Sequence, residues 1–393
     1  MRLLGLVPYP YDKAPGQRYR IEQWAPTLAK FGVQVTFEAF RCNELHELLC
    51  RPGNNWRKIS LTAQAMVRRL RVLRQINKYD LVYVYNEAAL LGPALAEHYV
   101  SRNVPFVFDF DDAIFLHYTY ISPVNRYLRL LKFPGKTRSI CRMASQVIVG
   151  NSYLAEYARQ VNDNVTIIPT TIDTDKFKPL SYKKKTEPLV IGWTGSYSTV
   201  QHLDRLRNTL KKLAGLENFR LRVIGTPSYQ IDGVEVEASQ WRADTELDDL
   251  SGIDIGVMPL PDDNWSKGKC GLKALQFMAL GIPTVCSPVG VNTNIIQDNE
   301  NGMLASSEDE WIEKLTLLLK SSDLRERLGR AGRATIEAHY SKTLHAPRVL
   351  RIFKSALNGH PEKRSPEVFT EIEERPRKVD IVHASVLNDE VDA

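Results

Sequence analysis

A chain of 393 residues, 43% apolar and 25% charged with a net charge of +6, has room for two compact domains, each with its own core. No apolar run approaches the roughly 18 residues needed to span a bilayer, and the opening Met-Arg-Leu-Leu-Gly-Leu-Val-Pro-Tyr-Pro is too short for a secretory signal core. Five cysteines (Cys42, Cys50, Cys141, Cys270 and Cys286) form an odd, scattered set without metal-ligand spacing, as expected of reduced thiols in a cytosolic protein.

In the first half, the pattern predicts strands at Leu3–Val7, Val33–Phe37, Leu81–Tyr85, Val104–Phe108, Gln146–Val149 and Val165–Ile168. Amphipathic helical segments such as Gln17–Phe31 and Asn151–Gln160 alternate with them. The lysine-rich stretch Pro179–Pro188 reads as a linker. In the second half, strands are predicted at Leu189–Trp193, Arg220–Ile224, Ile253–Met258 and Thr284–Cys286, with helices at Val200–Leu213, Leu272–Leu280, Glu308–Lys320 and Leu324–His339. Strand–helix alternation in both halves predicts an α/β protein of two Rossmann-like, doubly wound and mostly parallel sheets, residues 1–178 and 189–339. From about Pro361 the chain is charged, poor in aromatic and apolar residues, and reads as a disordered tail.

The stretch Lys267-Gly-Lys-Cys-Gly-Leu-Lys-Ala-Leu-Gln-Phe-Met-Ala-Leu-Gly-Ile-Pro-Thr-Val285 is the most informative one. It reads as a glycine-flanked loop, a short helix, a Gly-Ile-Pro break and a buried strand. The helix is apolar nearly all round, which places it inside a layer. Its polar exceptions, Lys273 and Gln276, are three apart and share a face. Gly268 and Gly271 let a ligand approach the backbone, and the free N–H groups opening the helix at Leu272 favour an anion. A phosphate beside Lys273 and Gln276 is the simplest chemistry for this pattern.

Charge is distributed unevenly. Residues 1–180 carry 24 Lys and Arg against 15 Asp and Glu, a net +9, and the remainder carries 28 against 31, a net −3. The excess lies in Arg51–Lys78 and Arg126–Arg142, where cations mix with apolar residues at helical spacing. Two readings stay open for these segments: helices resting on an anionic membrane surface, and ordinary solvated helix faces. No reader motif or aromatic-basic stripe accompanies the charge, so nucleic acid is not the expected partner.

Strand Val104–Phe108 ends in Asp109-Phe-Asp-Asp112. Ligand clefts of open α/β sheets lie at the carboxyl ends of strands, so the acids are candidates for positioning or deprotonating an acceptor hydroxyl. The competing readings are an Asx-turn and cap cluster and a metal-binding Asp-x-Asp, which a second Rossmann-like half argues against. His117 could line the same cleft or lie on the surface. His202, which opens a helix, and Trp193, which ends an apolar strand, read as structural.

These residues carry a resemblance. The chain resembles a family-4 retaining glycosyltransferase of GT-B architecture, in which two Rossmann-like domains face each other across a cleft. The likeness covers roughly residues 1–358. It rests on Gly268–Val285, on Val147-Ile-Val-Gly-Asn-Ser-Tyr-Leu-Ala-Glu-Tyr-Ala158, on Ile168-Pro-Thr-Thr-Ile-Asp-Thr-Asp-Lys-Phe-Lys-Pro179 and on Ile253-Asp-Ile-Gly-Val-Met-Pro-Leu-Pro261. A final helix near Tyr340–Leu357, able to cross back to the first domain, completes it. The resemblance implies transfer of a sugar from a UDP-sugar co-substrate, with no required metal or other cofactor, to a glycan or lipid-linked glycan. The donor would bind the second domain and the acceptor the first. A nucleotide-sugar epimerase of the same fold and a non-catalytic nucleotide-sugar-binding protein are the alternatives.

Two departures from the family pattern matter. The usual pair of glutamates separated by seven residues is replaced by Gly268 and Gln276; Gln276 can still hydrogen-bond ribose, whereas Gly268 cannot replace a carboxylate, for which Asp262 or Asp263 is a substitute. The usual Gly-Arg after the first strand of the second domain is here Gly195-Ser196, so the phosphate charge falls to Lys267, Lys269 or Lys273. The resemblance further implies that Gly16 and Arg18, after the first strand, approach the donor diphosphate. Gly225 suits a base-stacking loop, and Glu246 and Trp241 edge the base pocket.

Overall fold

The computed structural model describes residues 1–49, 53–116, 133, 135–179, 188–196 and 199–359. His117, the Arg126–Lys132 part of the second basic segment, most of the expected linker and the tail expected from Pro361 lie outside the described residues.

Two six-stranded sheets form the molecule. The first contains β1 (Arg2–Val7), β2 (Gln34–Ala39), β3 (Leu81–Tyr85), β4 (Phe106–Phe110), β5 (Gln146–Val149) and β6 (Val165–Ile167), in the order β2-β1-β3-β4-β5-β6. The second contains β7 (Leu189–Thr194), β8 (Phe219–Ile224), β9 (Glu235–Ser239), β10 (Ile255–Met258), β11 (Thr284–Cys286) and β12 (Met303–Leu304), in the order β12-β11-β10-β7-β8-β9. Every pairing is parallel. Both faces of each sheet are therefore covered by helices, and the central strands β1, β3, β4, β7 and β10 read as continuous apolar runs.

The expected helix Gln17–Phe31 is divided into Pro15–Arg20, a 3-10 turn at Glu22–Trp24 and Ala25–Lys30. Pro26 accounts for the last break, because it lacks a backbone N–H and fits only a first helical turn. Val200–Leu213 is likewise two helices, Val200–Asp204 and Arg207–Ala214. The edge strands β9 and β12 were not expected: Glu-Val-Glu-Ala-Ser offers little apolar signal, and β12 has two residues. Glu308–Lys320 forms as expected, closed at its start by a Ser307–Glu310 capping box.

The last helix, Lys342–Asn358, returns to the first sheet. Its Val349, Ile352, Phe353 and Ala356 are buried with Leu3, Val7, Trp24 and Tyr83. The two chain crossings are bound together: the Ile172 amide donates to Tyr340 O at 2.8 Å, the Lys342 amide donates to Ile172 O at 2.9 Å, and Lys342 pairs with Asp173. No helix among the described residues is long and apolar enough to cross a membrane.

Candidate functional site

The carboxyl edges of the two sheets face each other, and the lysine loop of the second half is seated on the first. Asp263 caps the short helix Asn264–Lys267, its Oδ1 accepting from the Ser266 amide at 2.7 Å. The chain then passes Gly268-Lys269-Cys270 and turns at Gly271 (φ +72°), where a side chain would also strike Ile295, to open the helix Leu272–Ala279. Asn151, after β5, fixes the loop. Its Oδ1 caps its own helix by accepting from the Leu154 amide at 2.9 Å, while its Nδ2 donates to the carbonyls of Lys267 (3.2 Å) and Lys269 (3.1 Å). Cys270 is buried beneath, its Sγ donating to Asp111 O at 3.1 Å, and a Cβ at Gly150 would overlap that sulfur.

Gly268 does not open the backbone to a ligand: a Cβ there would lie 2.6 Å from the Ala113 methyl, so its smallness serves contact between the halves. The carboxylates considered as substitutes at this position are already engaged, Asp263 as the cap and Asp262 with Lys267 at 3.2 Å. That pairing also sets Lys267 apart from the other two lysines, its side chain lying partly exposed with Asp262.

Lys269 and Lys273 separate in role. Lys269 Nζ meets Asp112 Oδ1 of the first half at 2.8 Å and lies 5.1 Å from the Trp265 ring centre. Lys273 Nζ lies 5.3 Å over the Trp193 ring, with no carboxylate partner among the described residues. Burial, then the neighbouring Lys269 charge, pushes its pKa down to about 8. Trp193 is thus the floor under a lysine as well as core. His202 is buried nearby, with no partner for its Nε2 among the described residues; burial and then Lys273 push its pKa down to about 4, so the ring is neutral. Sequence reasoning assigned His202 a structural role because its helix position gave no sign of the lysines some 70 positions later.

Gly195 and Gly225 end β7 and β8 against each other. Gly225 has φ +112°, and a Cβ on it would overlap Gly195 O, so the two glycines let the strand ends close on each other. The Ser196 amide donates to Thr199 Oγ1 at 3.0 Å, forming a turn beside Trp193.

The aspartates divide sharply. Asp109 is fully buried, held by Arg20 (Nη2 to Oδ1, 2.8 Å) and the Tyr83 hydroxyl. As a cleft residue it is therefore a correction: it points into the sheet's packing layer, where Arg20 compensates its charge. Asp111 accepts from the Tyr85 hydroxyl at 2.7 Å, and burial followed by the Asp112 charge raises its pKa to about 6. Gly16 packs against this pair, where a side chain would crowd Tyr85 and Asp111.

Arg18, Glu246 and Gln276 meet in a buried knot between the halves. Arg18 pairs with Glu246 at 2.9 Å and with Asp12 at 2.6 Å, its guanidinium 5.5 Å from the Trp241 ring centre. Glu246 Oε1 also accepts from Gln276 Nε2 (3.0 Å) and Trp241 Nε1 (3.2 Å), and Gln276 Nε2 donates to the Tyr19 hydroxyl at 2.9 Å. Tyr19 had no sequence signal, since its partners lie 227 and 257 positions away. A cavity of about 190 Å³ opens beside this knot, lined by Tyr11, Arg18, Glu22, Lys176, Phe177 and Lys342 among others, and excludes Lys273 and Asp111.

Comparison with known proteins places this geometry. The family described as Glycosyltransferase Family 4 matches residues 16–176, and the family described as Glycosyl transferases group 1 matches residues 188–321. Among curated proteins, the chain is 30% identical over 82 residues to spore coat protein SA of Bacillus subtilis (strain 168), a match spanning 20% of this chain and 22% of that relative's length. Among solved structures, it resembles sucrose-phosphate synthase from Thermosynechococcus elongatus (TM-score 0.66, 16% identity, 92% of this chain and 100% of that one). It also resembles HepE from Anabaena, solved in complex with UDP and glucose (0.61, 14%, 90% and 100%). A third similar structure is WaaG, a glycosyltransferase involved in lipopolysaccharide biosynthesis (0.59, 15%, 90% and 99%). With both halves matched in order on paired parallel sheets, the chain belongs to the group 1 and family 4 glycosyltransferases of GT-B architecture.

Proposed function

We propose that the protein is a retaining glycosyltransferase that takes its sugar from a UDP-sugar and delivers it to a glycan or lipid-linked glycan. The observation that carries this reading is Lys273, a half-buried ammonium without an anionic partner among the described residues, in the first turn of a helix whose free amides open at the same end. A diphosphate supplies the missing charge. Lys269 assists from its bridge to Asp112, and neutral His202 is placed to donate or accept one hydrogen bond. Gln276 and Glu246 are the groups for ribose and base, which the donor reaches by competing with the Arg18 and Tyr19 contacts. The solution of HepE with UDP and glucose bound supports a uridine donor by likeness of fold.

In the transfer, the bond between the anomeric carbon and the leaving phosphate oxygen breaks while a bond to the acceptor oxygen forms on the same face. The acceptor proton passes to the departing phosphate oxygen or to Asp111, whose raised pKa suits a base. Lys273 and the helix amides stabilise the charge developing on the diphosphate. A nucleotide-sugar panel, read as UDP released with and without glycan acceptors, tests the reading. Release that grows with acceptor supports it. An isomerised nucleotide-sugar without UDP release, or binding without turnover, would overturn it.

A further inference from the structure

The helix Asn55–Leu73 has two apolar faces, and the fold covers one. Inward, Leu61 and Ala65 are buried with Phe40, Leu45 and Ala89, and Leu73 joins the main core. Outward, Trp56 is 86% exposed, Ile59 60%, Val67 49% and Leu70 57%. At about 100° per residue these four fall within a sector of roughly 80°, opposite Leu61 and Ala65. A single exposed apolar residue is ordinary, but a row along four turns marks a surface that is covered by something.

Charge indicates what covers it. The helix holds five cations (Arg57, Lys58, Arg68, Arg69 and Arg71) and no acid, and Arg74 follows directly. Arg69 is buried, donating to the carbonyls of Glu38 (3.1 Å) and Val7 (3.4 Å), and Arg68 donates to Phe40 O at 2.5 Å. These two residues and Leu73, which the sequence offered for a membrane surface, therefore serve the fold instead. Arg57 is held by Glu44 at 2.6 Å. Arg71 and Arg74 remain exposed beside the apolar row. A second copy seated here would set cations against cations with no acid on either helix to pair them.

We propose that this outward face docks the protein on an anionic lipid bilayer. Trp56, Ile59, Val67 and Leu70 enter the headgroup region, and Arg71 and Arg74 meet lipid phosphates. The inward residues Phe40 and Ala89 follow the carboxyl ends of β2 and β3, so the docked face stands beside the edge where the two halves meet. Docking thereby brings the cleft to a lipid surface, which suits a lipid-linked acceptor; that last step rests on the transfer reading, and the docking does not.

The test is flotation of the full chain with phosphatidylcholine vesicles, with and without phosphatidylglycerol. Wild type is expected to float with the anionic vesicles at low salt and to dissociate at 1 M salt, where the Debye length is about 3 Å. The triple variant Trp56→Ser, Ile59→Ser, Leu70→Ser, altered only at exposed positions, is expected to keep its melting temperature and to lose binding roughly tenfold or more. Arg71→Glu with Arg74→Glu is expected to abolish the preference for the anionic lipid. Equal flotation of the triple variant and wild type overturns the proposal, as does equal recovery from neutral and anionic vesicles. A concentration-dependent dimer that the triple variant abolishes also overturns it and assigns the face to self-association. UDP titration of the same samples separates the two readings: UDP affinity without flotation defeats docking alone, and flotation without UDP affinity defeats the transfer reading alone.

Discussion

Arg18 and Glu246, 228 positions apart, form a 2.9 Å ion pair that joins the first helix after β1 to the helix preceding β10. Arg18 is also held by Asp12, and Glu246 also accepts from Tyr19, Trp241 and Gln276, so neither is stranded when the other is removed. Each single change to Ala also removes those further contacts, so the shared bond is isolated only by the coupling of the two changes. A double-mutant cycle by urea denaturation is expected to give a coupling of roughly 1.5–3 kcal/mol, the range for hydrogen bonds between charged groups. A coupling near zero would mean that the pair is screened and does not hold the halves together.

Lys273→Ala is expected to weaken UDP binding by roughly 1.5–3 kcal/mol, about 10- to 150-fold in Kd by titration calorimetry. Lys267→Ala, at a surface pair with Asp262, is expected to leave Kd within about twofold. The contrast between the two lysines is the informative quantity. Equal effects would show that general positive charge attracts the nucleotide and that the Lys273 ammonium has no special place.

Asp111 should show opposite effects on rate and stability. Its folded pKa of about 6 lies above the ordinary carboxylate value near 3.9, so the folded protein prefers it protonated. This contribution is fully present below about pH 4, is lost as pH rises through 6, and above that the ionised group costs up to about 2–3 kcal/mol. Asp111→Asn, which still accepts from Tyr85, is expected to raise Tm at pH 8 and leave it nearly unchanged at pH 4. If Asp111 takes the acceptor proton, the same variant slows transfer without weakening UDP binding, and the wild-type rate falls as pH drops through about 6. Transfer at the wild-type rate with the Asn variant would exclude that role.

Asp109→Asn tests the other carboxylate. It leaves the fully buried Arg20 charge uncompensated, and breaking such a pair typically destabilises by about 3–5 kcal/mol. The loss is expected in chemical denaturation, with UDP affinity per folded molecule unchanged.

The sequence made the two sheets legible because parallel central strands are apolar on both faces, and Leu81–Tyr85 and Gln146–Val149 stand where their composition put them. It made Lys273 legible too, as a cation in an otherwise apolar helix. What it left unread depended on partners distant in the chain. Asp109 and Asp111 are two residues apart and chemically alike, and only Arg20, 89 positions earlier, sends one into the core. Asn151 lay inside a motif that had been noticed, yet its grip on the lysine loop spans 116 and 118 positions. Local pattern identifies which residues are unusual; the crossing of two halves decides what each one meets.

The return of Lys342–Asn358 to the first sheet has a consequence for synthesis. Val349, Ile352, Phe353 and Ala356 fill a layer whose other members, Leu3, Val7, Trp24 and Tyr83, leave the ribosome more than 250 residues earlier. The first half to be made is thus the last to be completed, and its apolar face stays uncovered while the second half forms. A nascent chain halted before residue 341 is expected to hold a finished second sheet and an unfinished first one, the reverse of the order in which they were translated.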